Sequence, residues 1–549
     1  MEPTPTQLDI IKENGNTVVL ASPGSGKTFV MSEKIKRILS GDEMRDYQGV
    51  IAISYTRKAS NHLKQKSLSN GIWEKNSFFG TIDSFCLTQI ILPFGDFVFG
   101  YPITEVLPIT IDELADEKKT DFNWIKVDHP DYDTIDESAW QNLNALYQEG
   151  NVLINSLELL ALQIIKKSAA CRLHLRARFK YVFIDEFQDA DTYTNDILKE
   201  LIGLGLIGNV VGDINQSIFG FDHKKSEYLE ALQVEPGFKA FKLTDNHRCS
   251  VPIINYSNRL LDENSVIIKT DEEGMELISV EGDEVKVAEY LTNYVGEDCK
   301  KWGVSDMSQV AILVKYSRTQ TYIDDNLDIP HRVVFSTPLD DDVNPRSRLY
   351  GQLLQYYFDD SISFMSVIDN YADYDIFTSG IRKKLQKLKK EIKAVNEGDI
   401  ADRFPELFEE VANILLERYQ EGSALLYLDC VLASEKLTDS YRPLKDNEVV
   451  IMTLHKAKGL EFDIVYHLNM NVWELPYQKI INKDFEHPQY PSRKQDLDLH
   501  YVGVTRAKKL CVLITSSQRH NNKDELKKGE PSVFLSINGL EKMRKNYSY

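Results

Sequence analysis

Apolar residues along this chain fall into two rhythms. The runs at 17–20 (Thr-Val-Val-Leu), 181–184 (Tyr-Val-Phe-Ile) and 210–211 (Val-Val) are short, continuous and rich in β-branched or aromatic residues. Such runs predict strands buried on both faces. Each gives way abruptly to glycine, serine or acidic residues. Between 29 and 39 the apolar positions return at helical spacing, so the first run reads as strand, loop, helix. The stretch 152–165 is interrupted by Asn155, Ser156, Glu158 and Gln163 and predicts an amphipathic helix. The segment 363–442 is helical in pattern. No apolar stretch reaches the ~18–20 residues of a membrane span, so no membrane partner is expected. No internal repeat or low-complexity tract appears.

The polar residues at the strand ends carry the chemistry. After the first run comes Ala21-Ser22-Pro23-Gly24-Ser25-Gly26-Lys27-Thr28. Gly24 and Gly26 let backbone N–H groups around Ser25 converge on phosphate oxygens at a helix N-terminus. Lys27 would neutralise the β- and γ-phosphates, and Thr28 would ligate Mg²⁺. The stricter phosphate-loop pattern wants glycine at 21, where Ala21 stands. The second run ends in Asp185-Glu186: Asp185 suits a Mg²⁺ shell, and Glu186 suits a general base for an attacking water. The third ends in Gly212-Asp213-Ile214-Asn215-Gln216, where Gln216 would orient water or sense the γ-phosphate. In an open parallel sheet, neighbouring strands end on one edge, where ligands bind. ATP and Mg²⁺ are therefore the expected cofactors.

Length and charge change this picture only in part. At 549 residues the chain accommodates three to four domains of ~150 residues. The 42% hydrophobic and 27% charged fractions are those of a globular protein. The net charge of −20 argues, at face value, against nucleic acid. Yet the windows 105–140 and 262–289 each carry a net −8 and lie outside the polar strand ends. Conversely, 382–393 carries a net +6. The six cysteines show no metal-ligand spacing and read as buried free thiols in a reducing cytoplasm. The first residues lack a basic region followed by an apolar run, so no signal peptide is expected.

Five further segments, in order, resemble superfamily 1A DNA helicases of the UvrD, Rep and PcrA kind. They are Phe183-Ile184-Asp185-Glu186-Phe187-Gln188-Asp189; Gly212-Asp213 with Gln216-Ser217-Ile218-Phe219-Gly220-Phe221; Asn246-His247-Arg248; Thr453-Leu454-His455-Lys456-Ala457-Lys458-Gly459-Leu460-Glu461-Phe462; and Tyr501-Val502-Gly503-Val504-Thr505-Arg506-Ala507. The resemblance implies an α/β fold: two RecA-like P-loop motor domains, each with a mainly helical insertion. The first core would span 1–92 and 172–241 with insertion 93–171. The second would span 242–362 and 443–538, with a shortened insertion at 363–442. It also implies residue roles. Gln7 would read adenine, Lys34 would stand near the base, and Glu461 would contact the ribose. Arg248 and Arg506 would be arginine fingers from the second motor domain, so both walls of a cleft would touch ATP. His247 replaces a tyrosine expected to stack on adenine.

For DNA, the resemblance points to Tyr55, Arg57 and Lys58 in Ile53-Ser54-Tyr55-Thr56-Arg57-Lys58-Ala59, to Thr81, to Phe221 and to His455. Aromatics along a groove stack on bases without reading sequence, although core packing suits each of them too. Lys64 and Lys66 extend the positive run after Thr56. Asp83 and Asp222 put negative charge where the family has histidine and arginine. The implied function is an ATP-dependent 3′→5′ translocase or helicase on single-stranded or tailed DNA. The alternative is a DNA-end-sensing ATPase subunit of an anti-phage nuclease complex of the Gabija type. In that case the nuclease would be a partner chain, because too little sequence follows Arg506 to hold one.

Overall fold

The computed structural model describes residues 2–42, 44–127, 130–216, 227–342, 344–368, 370–371, 377–417, 419, 422–481, 484 and 487–549. Two compact units emerge: Met1–Glu272 with Pro476–Thr505, and Glu273–Leu475 with Arg506–Tyr549. Residues 242–272 and 476–505, placed above with the second core, pack within unit one.

Unit one is built on six parallel strands: β1 Asn16–Ala21, β2 Gly49–Ile53, β3 Phe78–Gly80, β4 Phe179–Ile184, β5 Ile207–Gly212 and β6 Phe238–Leu243, in the order β3-β2-β4-β5-β1-β6. Alternate side chains feed two separate cores, as a strand's period of two requires. Val18, Ile51, Ile53, Val182, Ile184 and Val210 enter one. Val19, Ala21, Val50, Ala52, Tyr181, Phe183 and Val211 enter the other, against helices α1 Pro5–Lys12 and α2 Lys27–Ser40. The register sets Leu20 beside Gly212 and Ile184 beside Val210. The carboxyl ends of β1, β5 and β4 therefore lie side by side on one edge.

The stretch 152–165 is not one amphipathic helix. Asn151–Leu153 pairs with Leu107–Ile109 as a short parallel ribbon, and the helix begins only at Leu157 and runs to Lys167. Leu157 and every residue from 159 to 165 are buried. The helix is the centre of the core under the sheet, so it has no wet face. Gln163, the polar exception, accepts from the Tyr132 hydroxyl.

Unit two carries seven parallel strands: β7 Met275–Val280, β8 Val310–Val314, β9 His331–Val333, β10 Val449–Thr453, β11 Phe462–His467, β12 Ala507–Ser516 and β13 Lys545–Ser548, in the order β9-β10-β8-β11-β12-β7-β13. Helices between 339 and 441 hold a separate apolar core that includes Leu349, Phe364, Leu388, Phe404 and Leu428. Five cysteines are buried as expected, but Cys430 is exposed. Among the described residues no helix is long and apolar enough to cross a membrane.

Candidate active site

The loop after β1 turns on two glycines in left-handed conformation, Gly24 (φ 69°) and Gly26 (φ 85°). Ala21 is still part of β1, paired with Leu243. Nothing there requires the glycine of the stricter pattern. Ser25 Oγ donates to Ser22 O at 2.7 Å and closes the turn. Gln7 braces it from α1. Its Oε1 accepts from Thr4 N (3.0 Å) in a capping box, and its Nε2 donates to Ser25 O (3.0 Å). A Cβ on Gly26 would stand 2.8 Å from Gln7 Nε2. On the other side, His247 N donates to Gly24 O (2.9 Å), and a Cβ on Gly24 would meet Asn246 Oδ1 at 2.4 Å and Arg248 Cβ at 2.6 Å. Asn246 Oδ1 itself accepts from Arg248 N and Cys249 N (2.8 and 2.9 Å). The Asn246-His247-Arg248 segment is thus seated on the phosphate loop, with His247 exposed.

Lys27, the first residue of α2, places Nζ 3.3 Å from both carboxylate oxygens of Glu186. Burial pushes its ammonium pKa down, but the carboxylates of Glu186, Asp213 and Asp185 more than reverse this, and the pKa ends above that of an ordinary lysine. Burial, together with the neighbouring Glu186 charge, raises the Asp185 carboxyl. Burial likewise raises Asp213, against the pull of Lys27. Three carboxylates thus crowd one ammonium, an excess of hard, anionic oxygen. With the Thr28 hydroxyl in the same turn of α2, this donor set fits Mg²⁺.

Glu186 itself has left-handed backbone (φ 53°, ψ 40°), uncommon for a residue with a side chain. Its carboxylate Oε2 also accepts from Gln188 Nε2 at 2.5 Å. Gln188 Oε1 accepts from Asp213 N (3.0 Å), and Asp213 Oδ2 accepts from Gln216 Nε2 (2.7 Å). Gln188, Asp213 and Asn246 were quoted within motifs above without a role of their own. The sequence signal for Gln188 was its place in the Phe183–Asp189 motif, which gave it no task.

Not every expected residue joins this group. Lys34 is buried in α2 with Nζ 3.5 Å from Thr17 Oγ1, at the far end of β1 from the loop. Tyr55 is 42% exposed just past the carboxyl end of β2. The next residue, Thr56, caps the helix Arg57–Ser67 by accepting from Ala59 N. Thr81 caps Ile82–Phe85 in the same way. Lys64 is paired with Glu74 at 2.9 Å. The side chains of Arg57 and Lys58, and the whole of Phe221 and Asp222, lie outside the described residues. Arg506, Glu461 and His455 belong to unit two. There Arg506 Nη1 donates to Leu460 O (3.1 Å), while its own carbonyl accepts from Phe462 N (2.9 Å). Glu461 is exposed, 3.6 Å from Lys508, and His455 is half-buried in the turn after β10.

The sequence is similar to known proteins over most of its length. Residues 4–95 and 106–236 match the UvrD/REP helicase N-terminal domain, and 351–518 match the UvrD-like helicase C-terminal domain. The chain is 26% identical over 537 residues to Gabija protein GajB of Bacillus cereus, covering 93% of this chain and 95% of that one. It is 24% identical over 628 residues to ATP-dependent DNA helicase Rep of Escherichia coli, covering 95% and 91%. To ATP-dependent DNA helicase PcrA of Staphylococcus epidermidis it is 22% identical over 608 residues, covering 92% and 82%.

Proposed function

Because the chain belongs to the UvrD-like helicase family, whose members are DNA-dependent ATPases and helicases, we propose that it is a motor that hydrolyses ATP at the Lys27–Glu186 site and moves 3′→5′ along single-stranded DNA. The observation that carries this reading is the convergence of Lys27, Asp185, Glu186, Asp213 and Gln216 at the ends of three adjacent strands. An arriving triphosphate competes for Lys27 and draws its ammonium off Glu186. The freed carboxylate then accepts a proton from the water that attacks the γ-phosphorus; a new P–O bond forms as the β–γ bridge breaks. Thr28 and Asp185 would hold Mg²⁺, which would neutralise phosphate charge. Gln216 orients the water. Arg248, seated beside Gly24, and Arg506 are assigned the countercharge, since a rigid guanidinium suits charge spread over a transferring phosphoryl group. Gln7 and His247 are assigned the adenine and Glu461 the ribose. Tyr55, Thr81 and His455 are assigned to DNA. The motor partition at 1–92 with 172–241 and 242–362 with 443–538 is part of the same reading.

The test is ATP turnover with and without single-stranded DNA. DNA should stimulate hydrolysis by the natural chain, and Lys27→Ala or Glu186→Gln should lower turnover at least a hundredfold. Near-normal turnover in either variant would sink the assignment.

A second reading has its own observation. The match to the Gabija protein spans 537 positions, whereas covering a similar share of this chain with Rep takes 628. The chain therefore shares the compact build of the former. On this reading the ATPase senses DNA ends for a nuclease subunit in anti-phage defence and unwinds little. Vigorous unwinding of a 3′-tailed duplex by the purified chain would exclude it.

A further inference from the structure

The ATPase reading uses Glu186 and Gln216 but does not say what holds them in mutual register. The two residues follow different strands, β4 and β5. Gln188 stands between them, with no exposed surface at all. Its amide spans the gap, one end on each strand. Nε2 donates to Glu186 Oε2 at 2.5 Å, and Oε1 accepts from Asp213 N at 3.0 Å. Asp213 then receives Gln216 Nε2 at 2.7 Å. The fit on the β5 side is tight, because a Cβ on Gly212 would come within 2.5 Å of Gln188 Oε1. Glycine at 212 is what allows the amide to reach across.

Glu186 needs such support. Its backbone is left-handed, a sparsely populated conformation that persists only when the surroundings over-determine it. Its carboxylate also meets Lys27, which the triphosphate must draw away. Once Lys27 leaves, the amide of Gln188 still holds the carboxylate. A buried amide with its donor and its acceptor both engaged has little freedom to turn, because rotation would strand both groups.

We infer that Gln188 is a positioning residue that locks the carboxylate of Glu186 to the Asp213–Gln216 turn, so that base and phosphate sensor act on one water as a single frame. It rests on the ATPase reading above and adds a residue to it.

Two experiments test this. Gln188→Met keeps the side-chain volume and removes both hydrogen bonds. It should lower DNA-stimulated kcat at least tenfold while KM for ATP stays within twofold. Should that variant not fold, Gln188→Asn, which keeps the amide one methylene short, carries the same measurement. The second experiment needs no turnover. Gln188→Glu sets two carboxylates face to face and should lower the thermal midpoint; the swap Glu186→Gln with Gln188→Glu restores the amide–carboxylate pair and should recover it. A kcat within twofold of the natural chain, or a parallel loss of KM and folding, would overturn the inference, as would a swap that recovers nothing. If the natural chain fails to hydrolyse ATP at all, the ATPase reading falls, and the swap still decides whether residues 186 and 188 are coupled.

Discussion

Gly24 has no room for a side chain. Its φ of 69° disfavours one, and Asn246 Oδ1 occupies the space where a Cβ would go. Gly24→Ala should therefore separate the Asn246-His247-Arg248 segment from the phosphate loop. The expected result, read by titration with a non-hydrolysable ATP analogue, is at least a tenfold loss of affinity. Lost stability should be of order 1–3 kcal/mol. At this scale the sequence was informative where chemistry is local. Lys27, Asp185 and Glu186 each sit at the break between an apolar run and a polar turn, so the break itself points to them. Lys34 shows the limit. It shares a helical stripe with Met31, Ile35 and Ile38, all buried, and the register of α2 turns it inward, away from the loop. The work of Gln188 was not legible, because it depends on β4 and β5 being neighbours, and strand order is not written in either segment.

The apolar runs at 17–20, 181–184 and 210–211 locate three strands, each of which the structure extends by two to four residues. The run at 152–165 was harder to read. A helix surrounded by protein on all sides shows no period, and its few polar residues mimic a wet face. Strand ends also store a pH response. His467 closes β11, wholly buried, with Nδ1–H donating to Leu468 O at 3.0 Å. Burial depresses its pKa from 6.5 to about 4. Between those values the unfolded chain takes up a proton that the fold refuses. The contribution to stability is thus full above pH 6.5 and is lost progressively as pH falls toward 4. His467→Asn keeps the donor and removes the titration. Urea midpoints measured from pH 7.5 to 4.5 should fall less steeply for this variant than for the natural chain.

On the scale of the whole molecule, the charge of −20 is a statement about particular surfaces. Asp116, Glu117, Asp121 and Asp133 belong to the acidic window 105–140 and are exposed. At physiological ionic strength a charge is screened beyond about 8 Å. Neutralising these four as Asn or Gln should change affinity for single-stranded DNA by less than threefold, measured by fluorescence anisotropy at fixed salt. A tenfold gain would mean that the window borders the DNA path. The division of the chain has a temporal consequence as well. Unit one is finished by Pro476–Thr505, which includes the helix Arg493–Thr505 with Tyr501 and Val502 in its core, and the edge-on contact of Tyr256 with His500. Everything from Glu273 to Leu475 must be synthesised first. At ~5–20 residues per second the ribosome spends roughly 10–40 s on that intervening stretch. Throughout that interval the unit that carries the phosphate loop waits on the ribosome without its last helix.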